Sequence, residues 1–159
     1  MTGRGVLGYL TAFELQQLWA GAAIDDAQLA LWRRMTVVGP RAEPQAELLW
    51  EWLSSQATHE ERSAVLRFAT GSSRLPARLD LDPGQAAAPR RERGWSFSIE
   101  RQDDPVVVAP TPSNGLDAPA KLAKSHTCGN QLCLPDYEDL AALKRGMTQS
   151  ILDSGFGMV

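Results

Sequence analysis

Apolar positions recur at helical spacing in five stretches of the chain, and short alternating or β-branched runs fall between them. Thr11-Ala-Phe-Glu14 reads as a capping box, and Leu15, Leu18 and Trp19 then share a face until Gly21. Ile24-Asp25-Asp26 opens a second helix carrying Leu29 and Trp32, with Arg33 and Arg34 at its electronegative end, so residues 1–37 predict a short helical hairpin. Residues 36–44 hold Gly39, Pro40 and Pro44, which breaks helical continuity and predicts a connector between two units. From Gln45 to Ser55, Leu49, Trp52 and Leu53, with Leu48 beside them, form the stripe of a third helix. Thr58-His-Glu-Glu61 is a second capping box. It opens a helix with Val65, Phe68 and Ala69 on one side and Glu60, Arg62 and Arg67 around the rest, ended by Gly71 and Pro76.

The second half of the chain predicts less helix. Residues 79–94 read as irregular, and Trp95-Ser-Phe-Ser-Ile99 alternates with period two, the pattern of a half-buried strand. Residues 103–120 contain Pro105, Pro110, Pro112, Pro119 and Asn114-Gly115, so this is a long loop with room for a strand only at Val106-Val107-Val108. Leu132 and Leu134 predict another short strand, closed by Pro135. Asp136 is placed to cap a last helix in which Leu140, Leu143, Met147 and Ile151 line one face, with Gly146 costing about 1 kcal/mol relative to alanine.

Composition narrows the function classes. The 159 residues are 43% apolar and 22% charged, enough for one ordinary globular core. A formal charge of −3 and the lack of any basic run argue against a nucleic-acid partner. No apolar run approaches the roughly 20 residues that cross a bilayer, and none resembles a signal peptide. Cys128 and Cys133, with two histidines in the chain, cannot make an ordinary four-ligand zinc site or a disulfide framework, so neither a metal nor a cofactor is expected. Free thiols predict a reducing compartment, the cytoplasm or the nucleus. Trp19, Trp32, Trp50, Trp52 and Trp95 sit at packing positions rather than in a base-stacking pattern.

The stretch with most chemistry is Lys124-Ser-His-Thr-Cys-Gly-Asn-Gln-Leu-Cys-Leu-Pro-Asp-Tyr137. In an extended chain residues i and i+2 point the same way, so His126 is placed to approach Cys128 and favour its thiolate, while Gly129 leaves one side of the sulfur open. A small buried thiol with a surface histidine is the alternative reading of the same residues. Three ordered stretches bear on the choice: Phe68-Ala-Thr-Gly-Ser-Ser-Arg-Leu-Pro76, Ser125-His-Thr-Cys-Gly-Asn-Gln-Leu-Cys-Leu-Pro-Asp-Tyr137 and Gly155-Phe-Gly-Met-Val159. Together they resemble the signatures of the HECT-type E3 ubiquitin ligase catalytic domain. Phe13-Glu-Leu-Gln-Gln-Leu-Trp-Ala-Gly21 and Ile24-Asp25 are similar to the helix pair that closes that family's N-lobe. The likeness runs over nearly the whole chain but over well under half of a full HECT domain, most of the larger N-lobe being absent from it.

The resemblance implies an α+β fold of the HECT C-lobe type, helices packed on a small sheet, with residues 1–37 as the end of the N-lobe, 38–44 as a hinge and 45–159 as the C-lobe. It implies that Cys128 accepts ubiquitin from an E2 thioester and passes it to a substrate lysine, a transfer that needs alignment more than a strong base. His126, Thr127 and Asn130 match the stretch around that cysteine and take positioning roles. Phe156 occupies the place of the family's tail phenylalanine, which orders the tail during lysine transfer. Cys133 is read as structural, and residues 70–76 as a turn bracing the active-site side rather than a phosphate cradle. Gly129 stands where the family usually has an aromatic residue. The E2-recruiting surface belongs to the part of the N-lobe outside the resemblance. Two other readings compete: a catalytically idle module that binds ubiquitin or a partner, and a cysteine hydrolase using Cys128 and His126, which lacks a recognisable third orienting group.

Overall fold

A computed structural model describes residues 24–76 and 95–154. In chain order it contains α1 (Asp26–Arg34), β1 (Thr36–Val38), α2 (Glu43–Ser55), α3 (His59–Thr70), β2 (Phe97–Arg101), β3 (Val107–Val108), β4 (Ala120–Lys121), β5 (Lys124–His126), a 3-10 turn (Thr127–Gly129), β6 (Gln131–Leu134) and α4 (Leu140–Ser154). The fold is α+β, as the sequence predicts. One sheet runs in the order β1-β2-β6-β5, with β1–β2 and β2–β6 parallel and β5–β6 antiparallel, and β3 pairs with β4 in a separate antiparallel ladder. A parallel pair needs a long crossover, and α2 and α3 lie on the one that joins β1 to β2. The antiparallel β5–β6 pair needs only a tight link, which is the turn that carries Cys128.

Local chemistry sets most helix ends. Asp25 caps α1, its carboxylate accepting from the Gln28 amide at 2.8 Å. Thr58 and Glu61 form the reciprocal capping box of α3, and Gly71 ends that helix at φ 84°, a conformation that favours glycine. α2 begins at Glu43, two residues earlier than expected, because Pro44 falls in the first turn, where its missing N–H has no helical partner to lose. The helices bury their stripes against the sheet, so that Leu49, Trp52, Leu53, Leu66, Phe97, Ile99, Leu132, Leu134, Leu143 and Met147 are all fully enclosed. Trp32 meets Trp50 and Phe97 edge-on at 5.4 Å each, joining α1 to this core.

Several expectations change on contact with the tertiary structure. The connector expected over residues 36–44 begins with a strand: Thr36–Val38 pair with Phe97 to Ile99, and the Gly39 amide donates to the Ile99 carbonyl at 2.8 Å. Three residues before a Gly-Pro pair carry too little local pattern to reveal a strand whose partner lies about sixty positions away. α1 packs into the same core as the later elements, through Leu29 and Trp32. Arg62, expected on the solvated side of its helix, is buried. Its guanidinium donates to the carbonyls of Leu53 at 2.7 Å and Ile24 at 3.1 Å and to Asp26 at 2.9 Å, clasping the start of α1 to α3. β2 is buried on both faces at Phe97, Ser98 and Ile99 rather than half-buried, since it lies between two parallel neighbours. Asp139, not Asp136, caps α4, accepting from the Ala142 amide at 2.8 Å, while Asp136 accepts from the Gln45 amide group at 3.0 Å. The Thr11 capping box, Gly21 and residues 79–94 lie outside the described residues.

Candidate active site

Cys128 is exposed in the 3-10 turn between β5 and β6. Two devices hold the turn. Asn130 closes it in the left-handed conformation (φ 49°, ψ 49°), which asparagine tolerates better than most residues. Its amide donates to the Thr127 carbonyl at 3.3 Å, its carbonyl accepts from Ser98 at 3.0 Å, and its side-chain Nδ2 donates to the Ser96 carbonyl at 3.2 Å. The second device is the end of α3, which packs on the turn, so that a Cβ built on Gly71 would stand 3.9 Å from the Thr127 Cβ. Just before β5, the Ala123 amide donates to Ser150 Oγ at 2.8 Å, and that hydroxyl donates to the Gly146 carbonyl at 2.6 Å, tying the chain that enters the hairpin to α4.

The turn alters the expected relation between His126 and Cys128. The i, i+2 rule assumes an extended chain, and the chain leaves that conformation at Thr127. His126, Thr127, Cys128 and Gly129 are all exposed, and among the described residues no hydrogen bond joins the imidazole to the thiol. A Cβ at Gly129 would meet nothing within 4 Å, and its φ lies outside the glycine region, so the fold does not require glycine beside the sulfur. Phe156 lies outside the described residues, as does Trp19.

Cys133 sits differently. It is half-buried in β6, paired with Glu100 on β2 and Lys124 on β5, and its Sγ lies 3.9 Å from Gln131 Oε1. Burial pushes its thiol up, the Glu100 carboxylate adds to the rise and Lys124 opposes it. A thiol held neutral is a poor nucleophile. Further along, burial likewise raises the Tyr137 phenol, which donates to the Lys121 carbonyl at 2.8 Å.

Sequence reasoning missed a cavity of about 530 Å³ beside the turn, lined by Thr70, Arg74, Leu75, Pro76, Trp95 and Asn130. These residues come from three separate stretches. Residues 70–76 alone read as a brace and Trp95 as a packing aromatic; Trp95 is half-buried, stacked on Phe97 at 6.4 Å and tilted 26°. Among the described residues no group of three His, Cys, Asp or Glu side chains gathers to hold a metal ion, and no helix is long and apolar enough to cross a membrane.

Comparison with known proteins gives the family of the chain. The chain is 30% identical over 146 residues to the E3 ubiquitin-protein ligase RSP5 of Saccharomyces cerevisiae, covering 91% of this chain and 16% of that protein. It is 29% identical over 146 residues to the E3 ubiquitin-protein ligase pub1 of Schizosaccharomyces pombe, with the same 91% and 16% coverage. It is 37% identical over 113 residues to the human Apoptosis-resistant E3 ubiquitin protein ligase 1, covering 69% of this chain and 11% of that protein. The chain thus spans about one sixth of the length of the first two relatives. The profile of the HECT-domain (ubiquitin-transferase) family matches residues 1–159, from end to end, and the chain belongs to that family.

Proposed function

We propose that this chain is the acyl-carrying part of a HECT-type ubiquitin ligase, with Cys128 as the nucleophile. The observation that carries the reading is the exposed sulfur on a turn braced from two sides, within a chain of the ubiquitin-transferase family. In the first step the Cys128 thiolate attacks the thioester carbonyl between ubiquitin's terminal glycine and an E2 cysteine. A new C–S bond forms and the E2 thiolate leaves. In the second step a substrate lysine amine attacks the new thioester, a C–N bond forms, Cys128 leaves as thiolate and the amine proton passes to solvent. A thioester is activated toward amines, so the principal demand is alignment, which a fixed turn supplies.

Asn130 takes the positioning role, through its bonds to Ser96, Ser98 and Thr127. His126 and Thr127 border the sulfur from the β5 side, and Phe156 orders the tail during lysine transfer. E2 recruitment falls to N-lobe surface outside this chain. Without that surface nothing raises the effective concentration of the donor at Cys128, and charging from E2 is slow. The hinge between the lobes is placed at residues 38–44, with α1 as the end of the N-lobe; Trp32 and the Arg62 clasp pack that end against the C-lobe. The relay runs in a reducing compartment, the cytoplasm or the nucleus, where the thiol stays free.

The test mixes the chain, with an N-lobe supplied, with E1, a charged E2 and ubiquitin. A reducible adduct is expected that disappears in Cys128→Ala and survives in Cys133→Ala. Stable ubiquitin binding with no adduct overturns the relay and leaves an idle binding module.

A further inference from the structure

The cavity beside the Cys128 turn has no part in the scheme so far. We infer that it is the acceptor side of the transfer, receiving the lysine side chain, and the residues flanking it, of the protein to be modified. This assignment rests on the reading of Cys128 as the acyl carrier.

Position comes first. Asn130 belongs both to the turn and to the cavity wall, and Thr70 ends the helix whose next residue, Gly71, faces Thr127. The cavity therefore shares two walls with the nucleophile's turn. Gly129, between Cys128 and Asn130, adds no side chain to the passage from one to the other. β5 enters the turn as the last strand of the sheet.

The cavity is also built. Thr70 Oγ1 accepts from the Ser72 amide at 3.1 Å, and Ser72 Oγ donates to the Arg74 carbonyl at 3.1 Å, so hydroxyl-to-backbone bonds set the course of residues 70–76. Trp95 is held against Phe97, and the Asn130 side chain against Ser96. A volume of about 530 Å³ exceeds what a lysine side chain occupies and leaves room for its neighbours.

The chemistry suits a lysine. Leu75, Pro76 and the Trp95 indole offer an apolar wall to the four-carbon stem, as such stems prefer. The Asn130 amide supplies polar atoms nearer the turn. Arg74, exposed at the rim, adds a fixed positive charge, which disfavours the ammonium form and so favours the neutral amine that attacks. In that attack the amine nitrogen bonds the glycyl carbonyl carbon, the C–S bond to Cys128 breaks, and the amine proton goes to solvent.

The experiment loads Cys128 without E2, using ubiquitin activated as the thioester of a small thiol, removes the excess, and chases with a lysine-bearing peptide or with water alone. Trp95→Ala and Arg74→Ala are each expected to slow discharge to the peptide by about fivefold more than they slow loading or hydrolysis. Trp95→Phe should restore most of the loss, and unchanged circular dichroism shows that the fold persists. Discharge that is unaffected in both variants overturns the acceptor assignment. Loading that falls as much as discharge overturns it too, and assigns the cavity to the donor. If the unmodified chain forms no adduct, the reading of Cys128 itself fails, and the acceptor assignment falls with it.

Discussion

Cys128 and Cys133 lie five residues apart on one hairpin, yet the fold treats them as different kinds of group. Cys128 stands in the turn, exposed, with nothing built over it from Gly129. Cys133 stands in the ladder, half-buried, between a strand bearing Glu100 and one bearing Lys124, and its thiol is pushed up. The residue type is the same, and what differs is whether the chain is turning or paired, with Thr127 and Gly129 beside the one sulfur and Leu132 and Leu134 beside the other. A turn leaves a sulfur open to a bulky acyl donor, whereas a strand surrounds it with neighbours that disfavour its charge.

The largest expected effect tests that contrast directly. Near neutral pH a small alkylating reagent should modify Cys128 at least about tenfold faster than Cys133, read by peptide mass spectrometry, and the difference should vanish in denaturant. Equal rates in the folded chain would erase the distinction between turn and ladder.

A smaller effect sharpens the role of the support beneath the hairpin. Intrinsic propensity predicts that Gly146→Ala stabilises α4 by about 1 kcal/mol. The structure predicts the reverse, because a Cβ at Gly146 would clash with the Lys121 carbonyl oxygen and the Tyr137 ring. Overpacking against backbone should destabilise by about 1–3 kcal/mol, measured as a fall in the urea midpoint, and should speed Cys133 alkylation more than that of Cys128. A stabilised variant would show that α4 has room to move.

The smallest effect is alkaline. Cys133 and Tyr137 are both held neutral, with folded values raised above the ordinary 9.0 and 10.0. Their contribution to stability is therefore full below those ordinary values and is lost as pH rises through the raised ones, because the unfolded chain ionises first. Urea midpoints taken from about pH 8 upward should decline, less steeply in Cys133→Ala. A flat profile in the unmodified chain would mean that neither group is shielded in the fold.

Features with local causes are legible in the sequence. The Thr58–Glu61 box, the Gly71 stop, the Asp25 cap and the stripe of Leu143, Met147 and Ile151 depend on residues within a few positions of one another. The turn stretch stood out in the sequence too, since Cys128 and Asn130 occur in an unusual run of polar residues that ends at Pro135. Asp136 and Asp139 show the limit: both are plausible caps three residues apart, and the choice fell to Gln45, which pairs with Asp136 and with the Tyr137 backbone from 91 and 92 positions away. Arg62 shows it again, a charged residue in a helix that reads as solvated until three carbonyls and a carboxylate converge on it.

What this sequence determines by itself is the helices α1 to α4 and the caps at Asp25, Thr58 and Gly71, because hydrogen bonds to neighbouring amides and a 3.6-residue period are properties of short segments. What only the tertiary structure decides is β1, the docking of α1 on the core, the different surroundings of the two cysteines and the cavity that Arg74, Trp95 and Asn130 share. Parallel strand pairs, buried guanidinium contacts and walls assembled from three segments are long-range arrangements, and their stabilisation appears only when distant parts of the chain are brought together.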